Sequence, residues 1–291
     1  MITSSVRTAS KATLLIRFCI PALSLSAILP VSLGAQSAAI FPKAVVGIED
    51  IELAVKTEWE LRKNYDLPPN AGEPWFTVIE GASKVLVSAP HATAQIREGK
   101  SKFADSGTGA LAVLLNKLAK TTTIYTVRQS PSDPNFYDDN DYKRTLGKLI
   151  DDRHPVLVLD LHASHTYRPY DVDFGTMGGQ SLKGRPLWLR QLSKFLLSAG
   201  FTDFSQDYFA ASANQTVTKF VREKGIPCIQ LEFSETRLAF FNEIGIKSFG
   251  VDTTDISEDF LRVDQEGVHR FSATVEGLVR FVKWIDSESS E

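Results

Sequence analysis

Two histidines and one glutamate stand where this 291-residue chain could do hydrolytic chemistry. His91 follows the run Val85-Leu86-Val87-Ser88-Ala89-Pro90. His162 follows Val156–Leu161, and Glu232 closes the run that begins at Ile226. Short apolar runs of this kind, rich in β-branched residues, read as strands buried on both faces. The chain has five histidines, and two of them sit at such strand ends. A carboxylate at the end of an apolar strand is unfavourable unless it is paired, protonated or bound to a metal. Two neutral imidazoles and a carboxylate make a catalytic zinc site with water in the open position. Zinc lowers the pKa of that water from about 16 to about 7. A further carboxylate then serves as general base and afterwards protonates the leaving group.

Glu98, Asp105 and Glu232 are the candidates for the ligand carboxylate and the general base. Asp105 is the preferred ligand and Glu98 the alternative. Asp105 precedes Ser106-Gly107-Thr108-Gly109 and the helical pattern Leu111, Leu114, Leu115, Leu118, so it is expected at a helix N-terminus, held by backbone N–H groups. Its competing role is a plain N-cap, and that of Glu98, in Arg97-Glu98-Gly99-Lys100, is a solvated charge pair. Asp160 lies two residues before His162 and shares its strand face. It is placed to orient that imidazole through the second ring nitrogen. A substrate carboxylate is best held by the guanidinium fork, and Arg97, Arg144, Arg168 and Arg237 are the candidates, set against ordinary surface roles. Arg97 and Arg168 are preferred, with Arg168 also a candidate for stabilising the oxyanion.

These residues need elements to carry them. Helical spacing predicts helices over 46–64, about 105–120, 138–151, the Leu187–Leu196 region and the Val268–Val282 region. Strands are expected at 75–80, 84–89, 122–127, 156–161 and 226–232. Strands alternating with helices predict an α/β fold: a mixed, largely parallel sheet flanked by helices on both faces. In such sheets the crevice lies beyond the carboxyl ends of the strands, where His91, His162 and Glu232 fall.

The chain begins with Arg7, Lys11 and Arg17, a charge-free apolar stretch from Phe18 to Ala35, and small residues after it. That order predicts a cleavable signal peptide over 1–37, a secreted or periplasmic protein, and one hydrolase domain over 40–291. The mature chain would keep only Cys228 and so form no internal disulfide. A hydrophobic content of 43% excludes dominant disorder, and a mean hydropathy of -0.09 excludes a polytopic membrane protein. A net charge of -3 argues against a nucleic-acid partner, and no membrane span is expected in the mature chain. Neither a Gly-x-Ser-x-Gly elbow nor a phosphate-binding glycine loop of the usual patterns occurs.

Pro90-His91-Ala92, Arg97-Glu98-Gly99-Lys100, Ala104-Asp105-Ser106-Gly107-Thr108-Gly109, Asp160-Leu161-His162-Ala163, Asp171-Val172-Asp173-Phe174-Gly175-Thr176 and Leu231-Glu232-Phe233-Ser234 resemble the N-formylglutamate amidohydrolase family over roughly 84–240. That family is similar in fold to the zinc carboxypeptidases and the aspartoacylase-type deacylases. The resemblance implies one zinc ion per chain, with His91, Asp105 and His162 as ligands and Glu232 activating the water. It implies hydrolysis of an amide next to a carboxylate-bearing group in a small molecule or short peptide. The carboxypeptidase pattern His-x-x-Glu is absent, because Ala94 stands at the Glu position, which argues against carboxypeptidase activity. The competing readings are a metallopeptidase and a non-catalytic secreted protein that binds a metal or ligand on the same fold.

Overall fold

The computed structural model describes residues 44–241 and 263–289. The expected signal peptide lies outside the described residues. A seven-stranded sheet runs through the centre. In chain order its strands are β1 (Phe76–Ile79), β2 (Val85–Ala89), β5 (Thr122–Thr126), β6 (Leu157–Ser164), β7 (Val172–Gly175), β8 (Phe204–Gln206) and β9 (Cys228–Ser234). Across the sheet the order is β1-β5-β2-β6-β9-β7-β8. The central strands β5, β2, β6 and β9 are parallel, whereas β1 and β7 pair antiparallel with β5 and β9. The sheet is therefore mixed and largely parallel. A separate hairpin, β3 (Gln95–Arg97) with β4 (Lys100–Lys102), stands outside it.

Alternation along the strands sends side chains to two apolar layers. Val85, Val87, Leu157, Leu159, Ile229 and Leu231 enter the larger core. It is covered by α1 (Ile48–Arg62), α2 (Thr108–Ala119), α4 (Pro186–Ser198) and α7 (Gln265–Glu288), which follows the one-turn α6 (Glu235–Leu238). Leu86, Val158 and Cys228 face the smaller core under α3 (Asp141–Arg153) and α5 (Val217–Glu223). The helices thus flank both faces. Each fully buried Leu, Ile or Phe in these layers contributes about 1.5–3 kcal/mol relative to exposure. Cys228 is buried and unoxidised in the smaller core.

Two strands run further than their apolar patterns. β6 continues through His162 to Ser164 and β9 through Glu232 to Ser234. The register pairs His162 with Glu232 and Glu232 with Asp173 on the antiparallel strand beyond. The polar residues therefore lie inside hydrogen-bonded strands rather than at their exits, because neighbours on both sides continue the pairing. The chain leaves β2 for β5 on one side and returns through α3 to β6 on the other, so the strand order reverses between β2 and β6. That reversal opens the crevice at their carboxyl ends.

Candidate metal centre and cavity

His91 and His162 are brought together at this reversal, one just beyond β2 and the other on β6. Their rings lie 4.8 Å apart, centroid to centroid, at 72°. Asp105 stands between them. Its Oδ2 is 3.0 Å from His162 Nδ1 and 3.4 Å from His91 Nδ1. One ligand atom from each of the three residues lies within 4.8 Å of the others.

Local structure accounts for each position. The backbone N–H of Asp105 donates to the carbonyl of His91 at 2.7 Å, which fixes the two residues side by side. The sequence predicts Asp105 at the helix N-terminus, yet α2 starts at Thr108 with Gly107 as its cap. Gly107 has φ 84° and a Cβ there would lie 2.6 Å from the carbonyl oxygen of Leu238, so only glycine fits. That turn leaves Asp105 ahead of the helix. Its carbonyl accepts the N–H and hydroxyl of Thr108, while its carboxylate turns to the imidazoles instead of capping. The Tyr65 hydroxyl bridges Glu58 and Ser106 and buttresses the same turn.

Behind each imidazole stands a buried aspartate. Asp160 Oδ2 is 3.4 Å from His162 Nε2, the orienting position that its shared strand face predicts. Asp133 Oδ1 is 2.9 Å from His91 Nε2. His91 thus sets Nε2 in a hydrogen bond with Asp133 and Nδ1 toward Asp105, whereas His162 turns Nδ1 to Asp105 and leaves Nε2 buried near Asp160 without a hydrogen bond. Sequence reasoning missed Asp133. It lies in the loop after β5, and the rule that singles out residues following strands applies to it as well. The loops after β2 and β5 are zipped together: Ser130 N–H donates to Ala94, Ile96 N–H to Ser130 and Asp133 N–H to Ile96. This delivers Asp133 to His91 although 42 residues separate them.

Charge follows the geometry. Burial pulls His91 down, but Asp133 and Asp105 overcome it and raise its pKa to about 9. Burial likewise opposes the charged form of His162, yet Asp160 and Asp105 raise it well above 6.5. Burial pushes Asp105 up, and hydrogen bonds with the two imidazoles bring it down to about 2. Glu232 behaves differently. Burial, aided by Asp105 and Asp160, pushes it up to about 7 against the pull of His162 and His91. Its Oε1 accepts from Gln230 Nε2 at 2.9 Å. A carboxyl group poised near neutrality beside a candidate metal cluster has the properties of a general base.

A cavity of about 640 Å3 opens over these groups. His91, Asp105, His162 and Glu232 line it, with Arg97 and Lys102 of the β3–β4 hairpin on one wall and residues 208–214 on the other. The second wall is held by Asp173, whose carboxylate accepts the N–H groups of Tyr208 at 3.1 Å and Phe209 at 2.8 Å.

Other sequence candidates lie elsewhere. Glu98 sits at the exposed tip of the hairpin with φ 52°, and its N–H donates to the Tyr137 hydroxyl. It does not join the ligand cluster, because the two-residue turn points it away. Arg144 is exposed at the start of α3, paired with Asp139 and Asp141. Arg237 is committed to Asp171 through Nε at 2.9 Å and Nη2 at 2.6 Å. Neither lines the cavity. Arg168 lies against the rings of Tyr167, Tyr208 and Phe209 and donates to the Tyr208 hydroxyl at 2.9 Å. It braces the cavity wall from behind rather than facing the cluster. Of the four arginines, only Arg97 reaches the cavity, and it binds Asp133 there.

No protein-family model and no curated protein matches the chain. Solved structures do. N-formylglutamate amidohydrolase from Ralstonia eutropha JMP134 aligns with TM-score 0.50 and 12% identity, covering 73% of this chain and 98% of that one. A bacteriophage poly-gamma-glutamate hydrolase aligns with TM-score 0.44 and 16% identity, over 72% of this chain and 89% of that one. A metallo-carboxypeptidase from Burkholderia cenocepacia aligns with TM-score 0.41 and 11% identity, over 74% and 67%. The chain has the fold of the first of these, as its motifs led us to expect.

Proposed function

We propose that this protein is a zinc-dependent amidohydrolase that cleaves the amide of an N-acyl amino acid or a similar small carboxylate-bearing amide. The observation that carries the reading is the convergence of one ligand atom each from His91, His162 and Asp105 within 4.8 Å, with Glu232 beside them in one cavity. Two imidazole nitrogens and one carboxylate oxygen fit zinc, and an aspartate stands beside the Nε2 of each ring, hydrogen-bonded to that of His91, where a carboxylate orients an imidazole for coordination. A bound zinc ion would supply an acidified water and a Lewis acid for the amide carbonyl.

The chain's own residues do the rest. Glu232 Oε2 takes the proton from the attacking water and returns it to the leaving nitrogen, a cycle suited to a carboxyl with a pKa near 7. Gln230 fixes its orientation by donating to Oε1. Lys102 lines the cavity and makes no ion pair among the described residues, so it is the cation best placed to meet the substrate carboxylate. The basic residues and apolar stretch within 1–37 support a secreted or periplasmic location. A mature N-terminus after Ser37, read by mass spectrometry, checks that assignment.

The functional test is a screen of N-acyl amino acids and short peptides with zinc-loaded protein, following release of free amine. Chelator-sensitive turnover supports the reading. A folded protein that neither retains nor takes up zinc defeats it.

A further inference from the structure

We infer that Arg97 is a positioning residue for the metal ligand His91, acting through Asp133, and not an anchor for the substrate. The inference rests on the proposed metal site, but its evidence is a separate set of contacts. Asp133 is fully buried and all its acceptor sites are taken. Oδ2 receives Arg97 Nε at 2.7 Å and Nη2 at 2.6 Å. Oδ1 receives His91 Nε2 at 2.9 Å and the Asn135 N–H at 2.8 Å. The guanidinium also lies 5.0 Å from the Phe136 ring centroid, so it is held on two sides. A guanidinium committed in this way has little left for a substrate carboxylate.

Each imidazole has an aspartate behind it, but Asp133 hydrogen-bonds His91 Nε2 at 2.9 Å while Asp160 stands 3.4 Å from an unbonded His162 Nε2. Asp160, behind His162, has no cation of its own among the described residues: Oδ2 meets His162 and the Thr218 hydroxyl, and Oδ1 is buried without a partner. His162 and Asp160 both belong to β6, so the strand sets their geometry. His91 and Asp133 sit on two different loops, and nothing as rigid as a strand holds the pair. Arg97, on the hairpin zipped to both loops, supplies the missing constraint. Without it the buried Oδ2 would lose its partners and the carboxylate would be free to turn from His91.

The test compares the mature protein with Arg97→Gln, Asp133→Asn and the double variant. Zinc dissociation constants come from competition with a chromogenic chelator. The imidazole Nε2–H signals of the zinc-loaded proteins come from NMR, with His162 as internal control. Arg97→Gln is expected to weaken zinc binding by about 10–100-fold and to remove the slowly exchanging His91 signal while that of His162 persists. The double variant is expected to bind zinc no worse than Asp133→Asn alone, as for residues acting in series. Arg97→Lys, which keeps the charge but loses the fork, should fall between wild type and Arg97→Gln and guards against a variant that fails to fold. Zinc affinity unchanged in Arg97→Gln overturns the inference, and so does equal loss of both imidazole signals, which would report general loosening. Wild-type protein that binds no zinc overturns both this inference and the proposed function.

Discussion

Zinc uptake should expel protons, and the structure sets how many. The pKa of His91 is raised to about 9 and that of His162 well above 6.5. At pH 7 only about one His91 in a hundred is then neutral in the metal-free protein, and His162 follows the same direction. Both rings must be neutral to coordinate, so zinc should displace about one proton from His91 and a further share from His162, whose pKa is shifted in the same direction. Asp105, held at about 2, carries no proton to lose. The His91 proton alone should make zinc affinity rise about 10-fold per pH unit between pH 6 and 8, and His162 steepens the slope. Chelator competition across that range measures the slope. Calorimetry in buffers of different ionisation enthalpy counts the protons directly. A slope near zero would refute the reasoning, because it would mean the imidazoles are neutral without metal and the aspartates behind them do not hold their charge. Stability carries the same signature. Because the folded pKa of His91 lies above its unfolded value, its contribution is fully present below about pH 6.5 and is lost as pH rises through about 9. Metal-free protein should therefore lose thermal stability over that window, and zinc-loaded protein should not.

Glu232→Gln should keep its zinc in metal analysis yet lose about 100- to 10,000-fold in turnover, and unchanged turnover would remove Glu232 from the proton path. Gly107→Ala should both destabilise the fold and weaken zinc binding, since a Cβ at φ 84° meets the Leu238 carbonyl at 2.6 Å and the turn carries Asp105; thermal melts with and without zinc separate the two effects. Asp171→Asn tests an ion pair outside the site. Burial pushes Asp171 up, but hydrogen bonds from Arg237, Thr202 and Asp203 bring it below its usual range, so its stabilisation is present above about pH 3.8 and is lost as pH falls through the lowered value. The variant should be less stable by about 1–3 kcal/mol at pH 7, with the gap closing below pH 4 in chelator-treated samples followed by urea unfolding.

The sequence by itself determined the long strands of the sheet, the two-faced burial and the residues His91, Asp105 and His162 that the fold brings together. Runs such as Val156–Leu161 have no stable place except a strand covered on both sides, and a histidine or acid at their ends stands out against that apolar background. The C-terminal helix and α1 were legible for a related reason: their apolar residues repeat at the helical period, while α3 was read as a polar helix. The short elements β3, β4, β8 and α5 were not, because a few residues carry no period and take their conformation from neighbours. Only the tertiary structure decided the pairings between distant residues. Asp133 reaches His91 through the zipping of two loops, a contact that neither loop encodes alone. Arg97 rather than Arg144 or Arg237 enters the cavity because a hairpin aims it there, whereas the other two are spent on local acids. All three are arginines in polar surroundings, and sequence sees only their type. The burial that pushes Glu232 up, and the two imidazoles that keep Asp105 ionised against its own burial, are likewise properties of the assembled crevice and of no segment within it.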